Sequence, residues 1–195
     1  MISNHDEFEA GERTLVAIVA AFEQQFETHL FGHFNFYVGS KKFGDWGAVA
    51  DLAACARWAK TYLARRDRIK VLDVSNYEGD YLLWRLHGSH VDPEYPSDYQ
   101  NELPDPHWYM RLGRGRNRFH LTYIGESGMI DTDVVLAIPQ PDGTDRVVAF
   151  TYESQEVADV VVDSCEILHT LRTFIGWVDD LLNEKSLSII KGDKS

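Results

Sequence analysis

His29 and His33 stand four residues apart, the spacing of two metal ligands on one helix face. No HExxH pattern surrounds them, and Gly32 lies between them where a helix should end. His87 and His90 are three apart at the exit of a predicted strand, and two ligands do not close a zinc site. Cys55 and Cys165 fall in separate predicted helices. No metal and no cofactor is therefore expected. Asp131 and Asp133 share a strand face by alternation, as a Mg²⁺ pair or an acid and base would, but nothing beyond the spacing supports that role. GESG at 125–128 lacks the GxSxG pattern, which makes Ser127 a poor nucleophile. Ser164 and Cys165 lie inside a predicted helix, where a Cys is more often a small buried hydrophobe.

Arg111, Arg114, Arg116 and Arg118 fall within eight residues at a predicted strand–turn–strand junction. Arginine's planar fork suits phosphate or carboxylate, so one reading is an anion clamp. On that reading the chain is a hydrolase or transferase acting on an anionic substrate, with His107 or His120 moving a proton. The stronger reading is that these arginines answer the acidic segment beside them, since opposite charges pair across neighbouring strands. GRGRN at 113–117 does not follow a strand and open a helix, so it is not a phosphate-binding fingerprint.

The acidic segment is VDPEYPSDYQNELPDP, residues 91–106. Asp92, Glu94, Asp98, Glu102 and Asp105 carry negative charge there with no cation among them. Tyr95 and Tyr99 are interleaved, and four prolines stiffen the backbone. Prolines lower the ordering cost of binding, and Tyr supplies contact area with little entropy loss. A solvated loop would be charged simply because it is exposed, and such loops are common; the functional reading beside it is docking on a basic protein surface, with Trp108 at its rim.

The elements that must hold these groups read as follows. Leu15, Ile18, Val19, Phe22, Phe26 and Leu30 recur at three- and four-residue spacing and predict a helix over residues 6–30, with Asn4 and Glu7 as a capping box. A connector follows, with a short strand at 35–38. A second helix is predicted over 45–66, capped by Asp45 and burying Val49, Leu52, Ala53, Ala56 and Leu63. The period then changes to two, which predicts strands at 69–74, 80–87, 107–112, 119–124, 133–138 and 146–152. Short turns join them, among them NYEG at 76–79 and PDGTD at 141–145. Residues 155–184 carry three heptad-spaced apolar columns, interrupted at Ser164, and predict a long helix that packs across a sheet, with a second copy of itself as an optional partner. The expected fold is α+β over residues 1–190. It has a five- to six-stranded antiparallel meander, two N-terminal helices and one long C-terminal helix, followed by a disordered tail at 191–195.

Composition narrows the function. The chain has 195 residues, with 31 Asp and Glu against 19 Lys and Arg, for a formal charge of −12. A hydrophobic share of 44% is enough to bury a core, which excludes a disordered chain. The apolar runs are too short for a membrane span, the acidic N-terminus is unlike a secretory signal, and two Cys make no disulfide framework. A cytoplasmic protein is expected. The charge disfavours nucleic acid as a partner unless Lys41, Lys42, Arg57, Lys60, Arg65 and Arg66 share one face. The best reading is a non-catalytic acidic protein that occupies a basic protein surface. An immunity protein, a nucleic-acid-mimicking inhibitor and an acidic chaperone all work this way.

Overall fold

A computed structural model of the chain describes residues 7–69, 71–87, 119, 121, 133–151 and 154–192. It is α+β, with antiparallel sheets and a long C-terminal helix. The first sheet holds β1 (Glu7–Gly11), β2 (Val16–Phe26), β3 (His29–Val38) and β4 (Lys41–Phe43) in that order, and β5 (Ala50–Asp51) also pairs with β3. The second holds β6 (Asp133–Pro139), β7 (Thr144–Thr151) and β8 (Val157–Asp163) in sequence order. The helices are α1 (Leu52–Arg65), α2 (Gly79–His87) and α3 (Ser164–Gly192).

The expected helix over 6–30 is instead β1, β2 and the start of β3. The run Val16-Ala-Ile-Val-Ala-Ala-Phe22 fits helical spacing, but five of its seven residues, Val16, Ala17, Ile18, Ala20 and Phe22, are buried and the other two are half-buried. A strand covered on both faces reads as a continuous apolar run, which periodicity alone does not separate from a helix. Gly11 settles the start of the run. Its φ is +87°, and a Cβ there would lie 2.9 Å from Thr170 Oγ1 on α3. The chain turns back at that point and places β1 antiparallel to β2, with Glu7 opposite Ala21.

The second helix is shorter than expected. It begins at Leu52, capped by Asp51, whose carboxylate accepts from Ala53 N at 3.0 Å. Asp45 instead closes a local turn on Gly47 N at 2.7 Å, and Val49 is exposed, not buried. The expected strand at 80–87 is α2: Leu82 N donates to Glu78 O, an i to i−4 bond, and Tyr77 stacks on Tyr81 at 5.4 Å. No strand forms at 71–74, although Leu72 N donates to Pro139 O. Of the expected strand at 119–124, only Phe119 and Leu121 are described. Leu121 N donates to Val135 O and Phe119 O accepts from Ala137 N, an antiparallel pattern along β6. The strand expected at 107–112 lies outside the described residues. The strands at 133–138 and 146–152 are β6 and β7, joined by the 141–145 turn with Gly143 at φ +87°. The long C-terminal helix starts at Ser164, so the first part of the 155–184 stretch is β8, a β-branched run closed by Asp163.

α3 packs on β1 and β2, α1 packs on β3 and α3, and α2 packs on β7 and β8. The aromatic centre of the first layer is Phe174, whose ring lies 5.6 Å from Phe8 and 5.2 Å from Phe34. Among the hydrogen bonds of the described residues, Lys41 Nζ to Val157 O at 3.0 Å and Gly44 N to Asp133 Oδ2 tie the sheets together.

Candidate functional site

The residues singled out for partner binding, Asp92, Glu94, Tyr95, Asp98, Tyr99, Glu102, Asp105 and Trp108, lie outside the described residues, as do Arg111, Arg114, Arg116, Arg118, His90, His107, His120, Ser127 and Asp131. The structure places His29, His33, Asp133, both cysteines and most of the basic island.

His29 and His33 are on a strand, not a helix, and their four-residue spacing puts both on the outer face of β3 with Phe31 between them. Leu30, Gly32 and Phe34 point the other way, into the core. Gly32 is required there: a Cβ would meet Leu52 Cδ1 at 2.9 Å and the Ala21 carbonyl, so only glycine lets α1 dock this closely. Asp51 clamps the junction. Its Oδ2 lies 2.8 Å from His29 Nδ1, and its Oδ1 accepts from Ala53 N and, at 3.4 Å, from Leu30 N. Arg57 Nη2 stands 3.7 Å from the same carboxylate. Asp51 thus caps α1 and ties it to β3, a structural use of a His–carboxylate pair.

His33 is engaged differently. Its Nε2 lies 2.8 Å from Glu23 Oε1, and its Nδ1 lies 3.3 Å from Ala48 O. The Trp46 ring stacks on it at 5.3 Å. Glu23 sits at a register shift between Phe22 and Gln24, a β-bulge that re-aims its side chain toward His33. Beyond it β2 and β3 run on as a hairpin whose last pair is Phe26 and His29. Glu27, in the two-residue turn, has φ +53°. The outer end of this sheet therefore presents Phe26, His29, Phe31, His33 and Trp46 together with the carboxylates of Glu23 and Glu27. Expecting a helix over 6–30 hides this group. The pairing of Phe26 with His29 across Glu27-Thr28 carries no Gly or Asn turn signal that would reveal it.

The remaining candidates are spread out. Asp133 Oδ2 accepts from Gly44 N, and its Oδ1 is buried without a hydrogen-bond partner. Among the described residues no group of three or more His, Cys, Asp or Glu is arranged to hold a metal ion. Cys55 lies in the buried face of α1, and Cys165 is exposed at the start of α3, its thiol pushed up by the Asp163 carboxylate. That direction is opposite to what a nucleophilic thiol needs. The basic island does not form one face. Arg66 is half-buried and pairs with the buried Asp145 at 2.5 Å, Lys60 bridges to Asp179 at 2.8 Å, and Lys41 reaches Val157 O. No described helix is long and apolar enough to cross a membrane.

No curated protein and no solved structure matches the chain significantly. A family model does. Immunity proteins bind a toxin partner, a role without catalysis. Residues 11–177, from the end of β1 to the middle of α3, match the model of the immunity protein 42 family, and the chain belongs to that family.

Proposed function

We propose that this immunity protein neutralises its toxin by docking on a basic surface of it, as would suit a toxin that cleaves nucleic acid. The observation that carries the reading is the state of the positive charges. Arg13, Arg57, Lys60, Arg66 and Arg146 each lie within 4.0 Å of a carboxylate of the same chain. Among the described residues these five cations are held against the chain's own acids, and the chain as a whole carries a formal charge of −12 that would draw a basic partner. The 91–106 segment concentrates that excess. Asp92, Glu94, Asp98, Glu102 and Asp105 are its charges, Tyr95, Tyr99 and Trp108 its contact area, and the arginines at 111, 114, 116 and 118 its intramolecular counterweight. Cytoplasmic action, where cysteines stay reduced, completes the proposal.

The test is a pull-down from the source cell with mass spectrometry, followed by affinity measurement on the purified toxin. A basic toxin is the expected catch. The double variant Asp98→Lys/Glu102→Lys should then weaken binding at least about tenfold with an unchanged circular dichroism spectrum, since charge reversal at an interface juxtaposes like charges. Wild-type affinity in that variant, or capture of an acidic toxin, overturns the proposal.

A further inference from the structure

We infer that the β2–β3 hairpin tip and the 45–49 loop beside it form the anchoring patch of the toxin interface, where apolar contacts hold the basic partner in place. The inference rests on the docking reading above and adds a second, described surface to it. Its occupant is the toxin's basic surface.

Among the described residues five large apolar side chains are exposed, and three of them converge here: Phe26 at 66%, Val49 at 46% and Trp46 at 37%. Phe26 is opposite His29 in register, Trp46 stacks on His33, and Val49 precedes Ala50, which pairs with Gly32. All three therefore flank the same five-residue stretch of β3. Exposed apolar groups grouped in this way mark binding surfaces, and Trp and other aromatics are favoured as anchors.

The backbone supplies independent support. Glu27 holds φ +53°, a region that glycine or asparagine enters easily and glutamate does not. A turn optimised for stability would carry Gly there. The strained turn holds the Glu27 carboxylate next to Phe26, the most exposed large apolar side chain among the described residues, and strain of this kind clusters at ligand-contacting sites. The bulge at Glu23 likewise departs from regular pairing and turns a second carboxylate toward this face.

Charge selects the occupant. Glu23, Glu27 and Asp45 are exposed around the patch, and the cation beside it, Arg57, is drawn to Asp51. An acid-rimmed apolar patch complements a basic surface. The patch is also rigid, since Asp51 fastens β3 to α1 and Gly32 seats Leu52, so little ordering remains for binding to do.

The test uses the full chain and the purified toxin identified above. Phe26→Ala should raise the dissociation rate about tenfold or more and leave the association rate within about twofold, as expected of an apolar anchor. Glu27→Lys should instead slow association. Glu27→Gly should raise the thermal midpoint while weakening binding, a combination that a purely structural turn would not give. Phe26 is solvent-exposed, so its loss should leave the melting curve in place and keep the binding result interpretable. Wild-type toxin kinetics in Phe26→Ala/Glu27→Lys overturn the inference. If Asp98→Lys/Glu102→Lys still weakens binding, the docking proposal survives that failure. If sedimentation shows a wild-type dimer that Phe26→Ala dissociates, with toxin affinity unchanged, the occupant is a second copy and the inference is equally overturned.

Discussion

Asp145 and Arg66 are the pair on which single substitutions should bear hardest. Arg66 Nη2 lies 2.5 Å from Asp145 Oδ1 and 3.1 Å from Ser164 Oγ, and Arg66 Nη1 lies 3.4 Å from the Tyr62 hydroxyl. Asp145 is fully buried and its Oδ2 has no hydrogen-bond partner. Burial pushes its carboxyl above the usual range, and Arg66 pulls it back only in part. Burial likewise drives the Tyr62 phenol well up. An ion pair whose desolvation outweighs its attraction adds little net stability, yet breaking it strands a buried charge. Asp145→Asn should therefore cost about 3–5 kcal/mol in urea denaturation, while Arg66→Met/Asp145→Leu should recover most of that loss. An equal loss in the single and double variants would refute this account. None of it is legible in the sequence, where Arg66 reads as a helix-terminal cation and Asp145 as a turn residue. The two are 79 positions apart and meet only because the fold brings the C-terminal end of α1 to the start of β7.

At the level of elements, legibility followed the strength of the pattern. β6, β7 and the long C-terminal helix could be read from sequence, because a buried β-branched run, a Gly-bearing turn and sustained helical columns each have few alternatives. The 6–30 segment could not, because Ala17, Ala20 and Ala21 suit a helix and a strand buried on both faces alike. Ser164 was visible as an interruption of a column and is in fact the boundary between β8 and α3. Asp163 caps that helix through Cys165 N at 2.9 Å, and this bond holds its carboxyl below the usual range. The apolar columns of α3 meet the first sheet at Phe174, fully buried among Phe8, Phe34 and Trp177. Phe174→Ala should cost about 3–5 kcal/mol and lower the thermal midpoint sharply, since the surrounding rings cannot close the cavity. A loss below about 1 kcal/mol would mean that α3 does not anchor this layer.

For the molecule as a whole, charge should act through kinetics. Raising salt from about 0.05 to 0.5 M should slow toxin association by about tenfold or more and change dissociation far less, because screening removes steering but not apolar contact. Salt-independent association would remove the electrostatic part of the proposed mechanism. The size of the core, the α+β class, the excess of acid and its concentration at 91–106 were all open to reading from composition and local pattern, because each depends on which residues occur and how they are spaced. Which cations are consumed by the chain's own carboxylates, and which aromatics collect beside the β2–β3 hairpin, depended on strand register and helix docking. Those are fixed by contacts between residues far apart in the chain, and a one-residue shift of register would have turned Phe31 and His33 inward and Phe34 out.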